Sequence, residues 1–294
     1  MFKRVIIYLF IFIAFLVSFS FWGFWQGTHP QKFITKLSPN DLGWKFEEVS
    51  LTTKDGITLS AWFVPSEVSS ERVIILLHGY PADKASLLSL SQFLHHDFNL
   101  LFVDFRYFGN SGGSTTTLGD REQEDAQAAL DYLSKKGFTK VGVMGFSFGG
   151  AVALLTAAKD ERIKAVTADS PFTHIDFMGH VFYQNFSVFK YPLTSLTKLW
   201  ARVFGINPDN IIPEKAATKL TIPILVIHSR QDQLITFENA KRLKQALEQD
   251  SKTEFLFFEE GTHGVLPDHL QEEYQTKVLK FFQKNLCSPS RSEP

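Results

Sequence analysis

The residue type most ready for chemistry in this sequence is a serine held between glycines, Gly145-Phe146-Ser147-Phe148-Gly149. A serine hydroxyl is a weak nucleophile, so it needs a base to take its proton and an acid to orient that base. The G-x-S-x-G spacing suits a serine on a sharp strand-to-helix turn, because glycines remove the Cβ atoms that would strike adjacent backbone. The bare pattern is weak on its own and its context carries it. An apolar run, residues 141–146, leads into it, and the helix-like Gly150-Ala151-Val152-Ala153-Leu154-Leu155 follows. A serine on such a turn is expected to be exposed.

Two later apolar runs end in candidate partners. Residues 224–227 lead to His228-Ser229-Arg230-Gln231-Asp232, and residues 254–258 lead to Glu259-Glu260-Gly261-Thr262-His263-Gly264. Asp232 is the candidate acid and His263 the candidate base. Asp169 also follows an apolar run and rivals Asp232. His269 rivals His263, but it falls where the last helix should begin and lacks flanking glycines. His95 and His96 read as surface residues at a helix end. A tetrahedral oxyanion needs two backbone N–H donors, one of them from the residue after the nucleophile. Phe148 supplies that donor. Tyr80, in the turn His78-Gly79-Tyr80-Pro81, is chosen for the other, since Pro81 has no N–H. This chemistry calls for no metal and no cofactor.

Rigid elements must hold these residues. Residues 45–52 and 57–64 read as strands joined by a Lys54-Asp55-Gly56 turn, a hairpin signal. Short apolar runs follow at 73–77, 99–105, 141–146, 163–168, 224–227 and 254–258, with helical patterns at 86–95, 120–135, 149–159, 238–249 and 271–284. Near-continuous apolar runs suit strands covered on both faces. The order predicts an α/β fold: a mostly parallel eight-stranded sheet with a leading antiparallel hairpin and helices on both faces. Such a sheet presents chemistry at the C-terminal ends of its strands. Residues 31–286 read as one domain.

Within that domain, residues 170–222 are too long for a simple connection. They hold Phe172, Phe177, Phe182, Tyr183, Phe186 and Phe189 among other aromatics. This predicts a helical cap insertion over an apolar acyl or aromatic pocket. The plainer alternative makes these aromatics the cap's own core. Lys198 and Arg202 suit solvent as well as a ligand carboxylate.

Thirty Lys and Arg against 31 Asp and Glu leave a net charge of −1, which argues against a nucleic-acid partner. The single cysteine, Cys287, lies in a polar tail at 287–294 and excludes an intramolecular disulfide. Aromatics crowd the N-terminus, where residues 5–25 carry no charge. A helix of that length spans roughly 30 Å at ~1.5 Å per residue. Phe21, Trp22, Phe24 and Trp25 suit a membrane interface. Lys3 and Arg4, with only Lys32 soon after, favour a cytoplasmic N-terminus and an exported body. Residues 1–30 therefore read as a single transmembrane anchor. The alternative is a signal peptide cut at Ser18-Phe19-Ser20, giving a secreted protein. Either way the segment is expected to stand outside the globular fold, so that a chain beginning near Gln31 should remain active.

The order HGYP, DFRYFGNSGG, GFSFGG, HSRQD and GTHG resembles the α/β-hydrolase superfamily over nearly all of residues 45–285. It is similar in particular to the serine aminopeptidase-like and membrane-associated acyl-hydrolase branch. The resemblance implies that Ser147, Asp232 and His263 form a catalytic triad, in the family's chain order, with the Tyr80 and Phe148 amides as oxyanion hole. Residues 104–113 resemble the family's D-x-R-G-x-G-x-S-x-G turn, with Tyr107 where glycine is usual. That loop is read as structural, with Arg106 pairing a carboxylate such as Asp125. A phosphate cradle fits poorly, since no Lys-Ser/Thr follows. The implied activity is a serine hydrolase acting on carboxylic esters or thioesters of a small-molecule or lipid-like acyl substrate. An aminopeptidase-like amidase is the second reading, and a non-catalytic binding member of the fold the third.

Overall fold

The computed structural model describes residues 2–248 and 252–286; Cys287 and the polar tail lie outside the described residues. The strands are β1 (Glu47–Thr52), β2 (Thr58–Val64), β3 (Arg72–Leu77), β4 (Asn99–Val103), β5 (Lys140–Phe146), β6 (Ile163–Asp169), β7 (Ile224–Ser229) and β8 (Thr253–Phe258). They form one sheet in the order β1-β2-β4-β3-β5-β6-β7-β8. The leading hairpin is antiparallel, β2 pairs antiparallel with β4, and all later pairs are parallel. The helices are α1 (Phe2–Thr28), α2 (Leu88–Ser91), α3 (Glu122–Lys135), α4 (Phe148–Ala157), α5 (Ile175–Phe182), α6 (Lys190–Val203), α7 (Pro213–Ala217), α8 (Glu238–Leu247) and α9 (Asp268–Leu286).

Side chains alternate across a strand, and β3 shows why its run is apolar throughout. Val73, Ile75 and Leu77 join a core with Leu130 of α3, Leu154 of α4 and Leu243 of α8. Ile74 and Leu76 join a second core with Leu88 of α2 and Val278 and Phe282 of α9. Both faces are thus covered. The hairpin turn is tied down by Arg106, which donates to Asp125 Oδ1 (2.7 and 2.9 Å) and to Asp55 Oδ2 (2.8 Å).

One expected helix is not continuous. Residues 84–94 form one α-helical turn between two 3₁₀ turns. Ser91 Oγ donates to the Leu87 carbonyl (2.7 Å), and Ser86 Oγ to the Asp83 carbonyl (2.6 Å). Hydroxyls bonded back to nearby backbone compete with a helical ladder. Lys84, whose N and Nζ both reach Asp104, pins the first turn. His95 is also corrected: it is buried, against the Trp44 ring and the Pro65 carbonyl, while His96 is exposed.

α1 departs further from expectation. It is long and apolar enough to cross a membrane by length and composition. Yet its last two turns belong to the globular fold, with Ser20, Gly23, Phe24 and Thr28 buried. The last carbonyls of a helix have no internal partner. Here distant loops supply the donors. Tyr80 Oη donates to the Gly27 carbonyl (3.0 Å), and Thr115 Oγ1 and the Thr116 amide to that of Thr28 (2.8 and 3.1 Å). Tyr107 Oη donates to the Pro30 carbonyl (2.6 Å). Tyr107 stands at φ 72°, the conformation that favours the family's usual glycine. The strain buys a phenol that clamps the exit of α1.

Candidate active site

The turn after β5 has the strained geometry that its glycines imply. Ser147 sits at φ 53°, and a Cβ on Gly145 would lie 2.2 Å from the Gly149 carbonyl oxygen. A Cβ on Gly149 would lie 2.0 Å from the Leu77 carbonyl oxygen. The Ser147 amide donates to the Asp169 carbonyl (2.7 Å), anchoring the turn to β6. Ser147 is not exposed as expected: only 7% of its surface is free.

Two loops bring their side chains to this serine. Ser147 Oγ lies 2.8 Å from His263 Nε2, and His263 Nδ1 lies 2.7 Å from Asp232 Oδ2. The other oxygen of Asp232 accepts the amides of Leu234 and Ile235 (2.9 and 2.8 Å), which fixes the carboxylate plane. With Nδ1–H donating to Asp232, Nε2 presents its lone pair to the serine hydroxyl. The proton of Ser147 therefore has an acceptor, and the imidazolium formed has a buried counter-charge. Sequence reasoning missed Ser229, whose Oγ donates to the Gly261 carbonyl (2.5 Å) and joins the Asp232 loop to the His263 loop. Gly264, at φ 73°, lets the second loop close against the Phe146 ring.

The rivals stand elsewhere. Asp169 is buried and accepts from Tyr274 Oη and Ser170 Oγ (2.9 Å each). Burial pushes its carboxyl up to about 6, against the pull of those two hydrogen bonds. His269 is exposed, 3.9 Å from Glu260. His228 is buried, donates Nε2–H to the Ile235 carbonyl, and has its imidazole pushed down by burial. Phe148 opens α4, where a helix leaves its first amides unpaired. Tyr80 lies in the turn after β3, and both line the same cavity as Ser147.

That cavity holds about 340 Å³ and is mostly apolar. From the cap come Phe172, Ile175, Met178, Phe182 and Tyr183; Phe177 and Trp200 instead pack against the core, and Phe186, Phe189 and Phe204 are exposed. The cap aromatics thus divide among cavity lining, packing against the core and exposure. Lys198 lines the cavity with its Nζ paired to Asp176 (2.6 Å), and Arg202 pairs with Asp209. The cavity has one wall that sequence reasoning left out, Gly23, Phe24 and Gly27 of α1. Its local signal was a row of small residues, Ser20, Gly23 and Gly27, on one face of an otherwise bulky helix.

A sheet of this order, with a serine on a strained turn after its fifth strand and a cap over it, defines an α/β-hydrolase. Within that superfamily the chain belongs to the prolyl oligopeptidase family, whose pattern matches residues 108–288. It is similar to the Bem46 protein of Schizosaccharomyces pombe, 27% identical over 207 residues, which are 67% of this chain and 64% of that protein's own length. Similarity to YfhR of Escherichia coli (strain K12) is 24% over 257 residues, 81% of each chain. An esterase of Pyrococcus furiosus superimposes with a TM-score of 0.74 at 25% identity, covering 88% of this chain and 98% of that one. A puromycin-hydrolyzing peptidase of Mycobacterium tuberculosis shares the fold, with a TM-score of 0.69 at 18% identity over 88% of this chain and 42% of its own. The protein is a hydrolase.

Proposed function

We propose that this protein is a membrane-anchored serine hydrolase that cleaves carboxylic esters or thioesters of apolar acyl groups. The observation that carries the proposal is the hydrogen-bonded series Asp232–His263–Ser147 ending in an apolar cavity. Ser147 Oγ attacks the acyl carbonyl as its proton passes to His263 Nε2, and the carbonyl electron pair moves onto oxygen. The Tyr80 and Phe148 amides hold that oxyanion. Collapse breaks the bond to the leaving group, which takes the proton from His263. Water then repeats the sequence on the acyl-serine and releases the acid. An aminopeptidase-like amidase needs an acidic anchor for the substrate amine. The described lining of the cavity carries no carboxylate, which favours the ester reading. The length and composition of α1 support a single-pass anchor, and Lys3 and Arg4 favour a cytoplasmic N-terminus with the catalytic domain on the far side.

The test is fluorophosphonate labelling of the full-length protein, followed by hydrolysis of ester, thioester and amide series differing in acyl length. Wild type should be labelled and Ser147→Ala should not. Wild-type protein that is folded, unlabelled and inactive on every acyl substrate would return the chain to the non-catalytic reading.

A further inference from the structure

We infer that α1 is a wall of the acyl pocket and that the pocket opens beside it into the bilayer, so the substrate is a long-chain acyl ester dissolved in the membrane. The inference rests on the acyl-hydrolase reading above and names its substrate class. It starts from the contact line between cap and helix. Phe189 packs on Phe12 (ring centroids 5.6 Å apart), Phe186 on Phe19 (4.9 Å), Phe182 on Trp22 (5.9 Å) and Phe204 on Phe24 (5.1 Å). From Phe12 to Phe24 a helix rises ~18 Å, more than half of a bilayer's ~30 Å hydrocarbon core. A span long enough to cross, with Trp22 and Trp25 at its interface, therefore carries this edge of the cap down into the lipid. Phe186, Val188, Phe189, Val203 and Phe204 are all exposed there, interleaved with the exposed polar residues Gln184, Asn185, Ser187 and Arg202. Exposed apolar patches of this kind mark interaction sites, and continuity with a membrane helix identifies the partner as lipid.

The cavity reaches the same place. Phe182 both lines it and is exposed against Trp22, so it forms a lip on the lipid side. Ser147 lines the same cavity, as does Leu234, which is exposed and whose amide donates to Asp232. An acyl chain can thus pass from the bilayer to the serine while its polar part faces the loop after β7. Gly27 allows a direct test, because a Cβ placed there meets no atom within 4 Å. Its side chain would grow into open space.

The experiment uses the full-length chain in phosphatidylcholine vesicles. Hydrolysis of 4-methylumbelliferyl palmitate dissolved in the vesicles is compared with that of the butyrate added from water. In Gly27→Leu the palmitate-to-butyrate ratio of kcat/KM should fall about tenfold or more, as one misplaced methylene in an apolar pocket already costs that much. Should Gly27→Leu fail to fold, Gly27→Ala should shift the ratio the same way by less. A ratio unchanged in the folded variants overturns the wall. Separately, a bimane placed by Val188→Cys, with Cys287→Ser, should be quenched by doxyl lipids and shielded from aqueous iodide. The reverse pattern overturns the membrane seat. Wild type inactive on both esters and unlabelled by fluorophosphonate would refute the hydrolase reading instead, and the bimane result would still stand by itself.

Discussion

Asp232→Asn probes the candidate site most sharply, because the surrounding amides dictate how the new side chain must lie. The Leu234 and Ile235 amides both donate to Oδ1 of the carboxylate, at 2.9 and 2.8 Å. An asparagine must therefore keep its carbonyl oxygen there and turn its NH₂ toward His263 Nδ1, now 2.7 Å from Oδ2. A donor facing Nδ1 forces the imidazole proton onto Nε2, where it meets the serine hydroxyl. His263 can then no longer accept the proton of Ser147, and the counter-charge for the imidazolium is gone. In a serine protease the equivalent change costs about 10⁴ in kcat, or ~5.5 kcal/mol at ~1.4 kcal/mol per tenfold. We expect a loss of at least ~10² here, with KM for a short ester little altered. Stopped-flow acylation by a nitrophenyl ester reads the step directly, and the thermal midpoint should move little because the amide is nearly isosteric. Asp169→Asn, whose hydrogen bonds go to Tyr274 and Ser170, should reduce acylation far less. If Asp169→Asn is the crippling change and Asp232→Asn is nearly silent, the orienting acid has been misplaced.

Two further outcomes follow from packing and titration. A Cβ on Gly23 would lie 1.8 Å from Tyr183 Oη, so Gly23→Ala should destabilise by about 1–3 kcal/mol of overpacking. Tyr183→Phe should recover part of that loss in a double-mutant cycle measured by thermal denaturation; strict additivity would show that the helix does not rest on Tyr183. Asp169 titrates near 6 in the folded protein and near 3.8 when unfolded, so the folded state holds its proton more tightly. Stability from this group is thus greatest below its unfolded value and is lost as pH rises through about 6. Relative to Asp169→Asn, wild type should lose up to about 3 kcal/mol between pH 4 and 8 in urea titrations. A constant difference across that range would refute the buried titration.

The parts of the site that were legible are those whose residue types are forced by chemistry or by backbone geometry. Gly145 and Gly149 could be read because any Cβ there strikes main chain, and Asp232 and His263 because each follows an apolar run at a strand end. Hydropathy says that a strand is buried but not which strand lies beside it. Hence the exchange of β3 and β4 in the sheet order had no local signature. The break at residues 84–94 was hidden because serines that bond back to the main chain look neutral in an amphipathic pattern. The burial of Ser147 has no local signature, because coverage by residues distant in sequence is a tertiary fact. The pairing of Lys198 is hidden for the same reason, since its partner Asp176 lies on the neighbouring cap helix α5.

The docking of α1 was the largest omission, and it bears on how the N-terminus must be processed. Its donors, Tyr80, Tyr107 and Thr115, come from loops 53, 77 and 87 residues away in sequence. No windowed hydropathy pattern could register them. A signal-peptide cut after Ser20 would remove the acceptor of Trp200 Nε1–H (3.2 Å) and the carbonyl that accepts from Thr197 (3.3 Å). The partly buried Trp200 Nε1–H would then lose its acceptor, at up to about 1–3 kcal/mol, while the Thr197 hydroxyl keeps Tyr183 Oη as a partner (2.8 Å). The cut would also strip Phe12 and Phe19 from Phe189 and Phe186, adding apolar surface to a cap already largely exposed. Starting the chain at Gln31 would be worse, for it deletes Gly23, Phe24 and Gly27 from the cavity wall and leaves Tyr80 and Tyr107 without their carbonyls. A chain beginning at Gln31 is therefore expected to lose most of its activity on a short ester, and a soluble, fully active chain from Gln31 would refute the role given to α1. The retained anchor is the reading under which Tyr107 has a reason to occupy a glycine's conformation.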